Sequence, residues 1–336
     1  MNSELELNIY KQNRMKNLKN IYNSNISRLY NILIINIKKY QLSRFLSQKV
    51  KQSNINNLTK QYNTNINILT TNYNQNIINI QKFIPKQIII NKNKKALLIG
   101  INYTGTQNEL YGCINDVKCI TDKIIKTGFN DITVMTDLTS KPATKYNILA
   151  EFKNLLINSQ SGDLLFFLYS GHGSYILDKN GDEKNGYDEM ILSCDLQSIV
   201  DDELKTLIQT YLKTDVTLFA MFDSCFSGSV LDLKFQYLDS FNYDKYTENA
   251  NDLETSGNVI MISGCTDIQT SADAFINNKA NGAMVWALLE GLTQFPNCSW
   301  RELVKKMRDL LKKSNFTQIP QISSGTFMNI DTLVFI

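Results

Sequence analysis

The 336 residues contain one histidine, His172, and it lies just beyond an apolar run. That run reads Leu164-Leu165-Phe166-Phe167-Leu168-Tyr169 and gives way to Ser170-Gly171-His172-Gly173. A continuous apolar stretch of strand length, closed by turn residues, predicts a strand buried on both faces. The imidazole then sits past the strand's carboxyl end, where open α/β sheets carry their ligand sites. A second stretch has the same grammar: Val216-Thr217-Leu218-Phe219-Ala220-Met221-Phe222 runs into Asp223-Ser224-Cys225-Phe226-Ser227-Gly228. If the two strands are parallel neighbours, an imidazole and a thiol reach one rim, as a cysteine nucleophile requires. The imidazole would stabilise the thiolate and later protonate a leaving amine. Backbone N–H groups of Gly173 and Cys225 are the natural oxyanion donors. Taken singly, Cys225 reads as a buried structural thiol and His172 as a loop residue; together, at two strand ends beside glycines, they read as a catalytic pair.

Acidic residues form the second candidate set. The segment 178–189 has EF-hand residue types at its first, third, fifth and twelfth positions (Asp178, Asn180, Asp182 and Glu189). Its sixth position is Glu183 instead of the turn glycine, and its flanks read as strands, so an EF-hand is rejected. A hard cation remains a reading, with Asp201, Asp202 and Asp232 adding carboxylates; the competing reading is a set of solvated acidic loops.

These residues need elements to hold them. Strands are expected at 95–102, 132–136, 164–170, 190–194, 216–222, 259–263 and 326–330. Helices are expected at 115–127, 142–158 (with Pro142 in the first turn), 201–212, 282–292 and 300–312. Segment 229–256 reads as loop. Strand–helix alternation predicts an α/β fold with a mostly parallel sheet covered on both faces. Residues 1–93 differ: they are rich in Asn and contain no Gly or Ala. Apolar residues recur there at intervals of three and four, at Ile26, Leu29, Leu33, Ile37 and Tyr40, then at Leu58, Tyr62, Ile66, Leu69, Tyr73, Ile77 and Ile80. That spacing predicts two amphipathic helices, broken near 53–57, in a hairpin. A Lys-rich linker follows at 81–95.

Charge divides the chain at the same place. Residues 1–95 hold 16 Lys and Arg against 2 Asp and Glu, and residues 96–336 hold 19 against 30. A basic arm precedes an acidic body. No Cys-x-x-Cys pair occurs among cysteines 113, 119, 194, 225, 265 and 298, which points to reduced thiols in an intracellular, cytoplasmic chain. No secretory leader or membrane-spanning stretch is legible.

Several motifs together resemble the type I metacaspases, of the caspase-like clan of cysteine peptidases. They are KKALLIGINY (94–103), YGCINDV (111–117), Ser-Gly-His-Gly (170–173), GDEKNGYDE (181–189), VDDEL (200–204), DSCFSGSVLDL (223–233) and ISGCTDIQTSAD (262–273). The resemblance covers residue 94 to about 330, so 94–336 is expected to be the peptidase domain and 1–93 a helical prodomain. It implies a caspase-like three-layer sandwich, a His172/Cys225 dyad and cleavage of polypeptides after Arg or Lys. It implies a specificity pocket on Asp116 and Asp223, with Ser170 and Cys113 also lining it. It implies Ca2+ activation through Asp188, Asp201, Asp202 and Asp232. The family usually reads Asp-Cys-Cys-His-Ser-Gly around its nucleophile. Here Ser224 and Phe226 flank Cys225, leaving His172 as the sole imidazole. The arm matches no family prodomain. One reading has it fold back on an acidic pocket and leave by self-cleavage within 82–95, in a monomeric protein; the equal competitor is a solvated helical targeting or oligomerisation arm that never meets the pocket. The alternative is a scaffold of the same fold acting through its basic arm, with nucleic acid or anionic lipid as further candidate partners.

Overall fold

The computed structural model describes residues 2–43, 45–82, 93–177, 186–225, 228, 230–237, 246–249, 252–264, 273–276 and 279–336. The chain forms two compact units, Met1–Lys86 and Gln87–Ile336. The first is a helical hairpin of α1 (Asn2–Leu42) and α2 (Gln48–Lys82). Its facing residues are the apolar set read from the sequence: Leu29, Leu33 and Ile37 are half-buried, as are Tyr62, Leu69 and Tyr73, and Ile80 is buried. Tyr22 stacks on Tyr73 at 4.4 Å and its hydroxyl meets Thr70 Oγ1 at 3.0 Å, while Lys11 Nζ donates to the Gln81 carbonyl at 2.9 Å. The helix break falls at 43–47, not at 53–57 as expected. Ser47 supplies the reason: its side chain accepts from Val50 N and its carbonyl from Lys51 N, a helix start that the polar run at 53–57 lacks.

The second unit is built on an eight-stranded sheet. In chain order its elements begin β1 (Lys94–Gly100), α3 (Cys113–Ile125), β2 (Asp131–Thr136), α4 (Lys145–Ile157) and β3 (Leu164–Ser170). Next come β4 (Gly173–Leu177), β5 (Tyr187–Leu192), β6 (Ser198–Val200), α5 (Asp201–Tyr211) and β7 (Thr217–Asp223). The chain closes with β8 (Phe235–Tyr237), β9 (Tyr246–Glu248), β10 (Asn258–Ser263), β11 (Asp273–Ile276), β12 (Lys279–Gly282), α6 (Ala283–Gln294), α7 (Trp300–Lys313) and β13 (Gln321–Ser324). Sheet order is β2-β1-β3-β7-β10-β13-β8-β9. The first five strands are parallel and the last three run antiparallel to their neighbours.

Every residue of β3 and β7 is buried, as their unbroken apolar runs require. Alternation sends Leu165, Phe167 and Tyr169 to one face, where they share a core with Ile148, Phe152 and Leu156 of α4 and Leu204 and Ile208 of α5. Phe166 and Phe219 face the other way, stack at 4.9 Å, and meet Phe129 and Trp300 beyond them. Helices therefore cover both faces, which is the three-layer sandwich expected. Truncating one of these phenylalanines would cost about 3–5 kcal/mol.

Four local expectations are corrected. Pro142 lies outside α4, because Thr144 is its N-cap and accepts from Asn147 N. The strand expected at 326–330 is instead Gln321–Ser324; polar but fully buried, it pairs with both β10 and β8. The stretch taken as loop at 229–256 carries β8 and β9, three residues each. The chain after His172 enters β4 at once, and its partner β5 starts three residues earlier than the strand expected at 190.

Candidate active site

The register of β3 and β7 decides what meets at the rim. Ser170 pairs with Asp223 as the last rung, and Gly171 N donates to the Asp223 carbonyl at 3.3 Å. His172 and Cys225 are each two residues beyond that rung. The approach is close: a methyl group added to Gly173 would overlap the Cys225 carbonyl oxygen and stand 3.2 Å from Ser224 Cβ. Glycine at 173 is thus a requirement of packing against the thiol-bearing turn. Phe226 and Ser227, which follow the thiol, lie outside the described residues.

His172 is held from three sides. Its backbone N donates to Tyr103 Oη at 3.0 Å, and its carbonyl accepts from Leu192 N at 3.0 Å and Tyr169 Oη at 2.7 Å. Its ring lies 4.7 Å from the Tyr103 ring, tilted by 39°. Nε2 is 2.7 Å from the Asn108 carbonyl oxygen. A carbonyl only accepts, so this contact places the proton of a neutral imidazole on Nε2 and leaves Nδ1 as the basic nitrogen. Tyr103 is the hub. It is buried with φ 52°, and its hydroxyl also meets Tyr169 Oη at 3.0 Å and the Leu192 carbonyl at 2.7 Å. Burial pushes both phenols well above their ordinary range, so they remain hydrogen-bonding hydroxyls.

Two carboxylates lie beside this rim. Asp116, in the first turn of α3, is fully buried; one oxygen accepts from Ser170 Oγ at 2.8 Å, and both accept from Gly282 N at 2.8 and 3.0 Å. Asp223, the last residue of β7, accepts from Val285 N at 3.0 Å. The amino terminus of α6 therefore faces both acids, as its dipole favours. A methyl group on Gly282 would overlap Asp223 Oδ2 and stand 2.6 Å from Asp116 Oδ2, so the two carboxylates converge there. Cys113 is buried at the start of α3, one turn before Asp116, with its carbonyl against Gly100. Together these contacts bring two buried carboxylates to the amino terminus of α6.

The remaining carboxylates divide. Glu189, Asp201 and Asp232 are buried, and one oxygen from each lies within 4.8 Å of the others. Asp201 heads α5 and accepts from Glu189 N at 2.6 Å and Asp202 N at 2.7 Å. Burial, then the charge of Asp232, pushes the Asp201 carboxyl up to about 9. An all-oxygen, crowded anionic donor set suits a hard cation such as Ca2+. Of the four ligands expected from the sequence, Asp201 and Asp232 belong to this trio; Asp188 and Asp202 do not, and Glu189 takes the third place. Asp188 is buried on the opposite face of β5, and Asp202 is half-buried.

The metacaspase peptidase C14 domain model matches residues 94–234. Metacaspase-1 of Meyerozyma guilliermondii is 37% identical over 285 residues, spanning 69% of this chain and 69% of that protein. The chain belongs to the metacaspase family. Metacaspase-1 of Schizosaccharomyces pombe is likewise 37% identical over 284 residues, spanning 68% and 67%. A crystal structure of protein GSU0716 from Geobacter sulfurreducens shares the fold, with a TM-score of 0.55 at 22% identity over 73% of this chain and 98% of that one. This metacaspase is thus a caspase-like cysteine peptidase acting on polypeptides. Among its described residues no helix is long and apolar enough to cross a membrane.

Sequence reasoning missed Asn108, Gly282, Val285, Glu189 and the two tyrosines. The first three act through backbone atoms, which have no side-chain signature. Gly282, the residue before the apolar helix 283–294, did carry the signal of a helix start.

Proposed function

We propose that this metacaspase is a calcium-dependent endopeptidase that cleaves after Arg or Lys with Cys225 as nucleophile and His172 as base and acid. The supporting observation is the convergence at the ends of β3 and β7, with His172 and Cys225 two residues past the last rung and Asp116 meeting Asp223 at Gly282. His172 Nδ1 takes the thiol proton, because Nε2 is committed to Asn108. The thiolate adds to the scissile carbonyl carbon, and the N–H groups of Gly173 and Cys225 receive the oxyanion. The imidazolium returns its proton to the amine as the C–N bond breaks, leaving a thioester. A water deprotonated by His172 hydrolyses that thioester and restores the thiol. Asp116 and Asp223 pair with the P1 cation, and a planar guanidinium is held at least as well as an ammonium.

Glu189, Asp201 and Asp232 would hold Ca2+, which neutralises their mutual repulsion. Asp188 and Asp202, implicated by family resemblance, stand next to them in sequence. Self-processing narrows within the 82–95 linker. Lys94 and Lys95 belong to β1, and their ammonium groups donate to the Thr127 and Asn158 carbonyls at 2.7 and 2.8 Å. A paired strand cannot enter a peptidase cleft, so Lys86 and Lys92 are the candidate P1 residues, with Lys82 usable only if the last turn of α2 unwinds. The structure of 83–92 lies outside the described residues. Fluorogenic peptides with Arg, Lys or Asp at P1, tested with and without calcium, decide the matter. Cleavage mainly after Asp, or full turnover in excess chelator, would remove the specificity or the calcium claim respectively.

A further inference from the structure

The acidic trio has a cation of the protein's own beside it. Lys205 lies one helical turn after Asp201 on α5, so the two side chains leave the same face of the helix. Its Nζ reaches Asp232 Oδ2 at 3.3 Å and Asp252 Oδ1 at 2.9 Å. The lysine side chain is 16% exposed, Asp232 3% and Asp252 6%, so the three charges meet largely out of water. Asp252 is itself anchored: its second oxygen accepts from Asn249 Nδ2, and its carbonyl accepts from Lys234 Nζ at 2.8 Å.

We infer that Lys205 is a resident counter-ion of the cation site, holding Asp232 in the metal-free protein and yielding it when a divalent cation binds. The inference rests on the calcium reading above and adds how the site is regulated. Asp232 is the shared group. A divalent ion bound by Glu189, Asp201 and Asp232 would stand next to an ammonium on the same carboxylate, and the two cations repel in a site of low dielectric. Asp252 already holds the ammonium at 2.9 Å, so the flexible lysine stem can give up Asp232 without moving the helix. Asp232 has φ 44°, so its backbone is held in one uncommon conformation and the side chains make the exchange. Two consequences follow by linkage. Lys205 stabilises the metal-free fold, and for the same reason it weakens calcium binding, which sets a higher calcium threshold than the trio alone would.

The test uses the full chain carrying Cys225→Ala, so that no form cleaves itself. Calcium binding is measured by titration calorimetry and melting is followed in EGTA and in calcium. Lys205→Gln should bind calcium about 10-fold tighter or more, melt lower in EGTA, and gain more from calcium than the parent. Lys205→Arg keeps the charge and should bind more weakly than the Gln variant. If the Gln variant folds only with calcium, titrating the loaded protein with EGTA gives the same reading through the free calcium at which the ion is lost. Equal or weaker affinity in Lys205→Gln would overturn the inference, making Lys205 a brace present in both states. Absence of calcium binding by the parent would overturn the calcium reading and this inference with it.

Discussion

Gly282→Ala tests the proposed specificity site apart from the proposed dyad. The backbone at 282 has φ −65° and ψ 134°, which alanine adopts freely, so no conformational strain enters. The added methyl instead meets two carboxylates: it overlaps Asp223 Oδ2 and stands 2.6 Å from Asp116 Oδ2. Neither acid can swing aside cheaply, since Asp223 accepts from Val285 N and Asp116 from Gly282 N and Ser170 Oγ. Restoring van der Waals distance displaces at least one carboxylate by about an ångström, which breaks a hydrogen bond to a charged group worth about 1.5–3 kcal/mol. The displaced carboxylate also leaves the P1 cation with one partner in place of two. At 1.4 kcal/mol per tenfold, a loss of about 2–3 kcal/mol lowers kcat/KM for Arg and Lys peptides by about 30- to 150-fold. The assay is fluorogenic cleavage in calcium, paired with thermal melting and with the rate at which iodoacetamide alkylates Cys225. Melting should fall by several degrees with the lost hydrogen bond, whereas alkylation of the thiol should stay near wild type. A variant that alkylates normally and cleaves Arg peptides within threefold of wild type would refute the placement of the P1 side chain between Asp116 and Asp223.

Cys225→Ala and His172→Ala should each abolish cleavage while leaving the melting temperature within a few degrees of wild type; near-normal turnover in His172→Ala would end the dyad reading. Tyr103→Phe keeps the ring against the imidazole but removes the hydroxyl that serves His172 N, Tyr169 Oη and Leu192 O. Leaving buried partners unsatisfied costs about 1–3 kcal/mol, so kcat should fall about tenfold with KM within twofold, read from full kinetic curves. Calcium treatment of the purified chain should yield new N-termini at residue 83, 87 or 93, absent in Cys225→Ala; termini at 95 or 96 would contradict the pairing of β1.

The sheet was legible where burial is uniform. Strands β3 and β7 are buried on both faces, and their near-continuous apolar runs mark them in the sequence. The hairpin faces of α1 and α2 were legible through periodicity, since a half-buried helix repeats its apolar residues every three to four positions. Short antiparallel strands were not. Gln321-Ile322-Ser323-Ser324 is a buried strand of mostly polar residues, satisfied by two neighbouring strands that lie 58 and 85 residues away in sequence at their nearest pairings. The nearby Thr326–Ile330 segment has better strand composition but pairs with none of the described strands. Pairing decides such elements, and pairing is a long-range property.

The candidate site followed the same division. His172 and Cys225 could be found because each needed a scarce residue type at the end of an unmistakable strand. Asp116 and Asp223 carry no such mark in the bare sequence; they enter through the resemblance, and the fold adds the α6 amino terminus that faces them both. The cation cluster turns on parity. Asp188 and Glu189 are both buried acids on β5, and consecutive strand residues point to opposite faces, so only one of them can face Asp201. The register that opposes Glu189 to Tyr175 and Met190 to Val200 brings Glu189 N onto the Asp201 carboxylate. A shift of one residue would exchange the two acids. Residue types alone do not set that register; under the calcium reading, recruiting Asp188 beside Glu189 would require β5 to twist at that point. Because β5 pairs with β4, which begins directly after His172, a cation bound on the proposed trio would act on the same small sheet that leads to the imidazole.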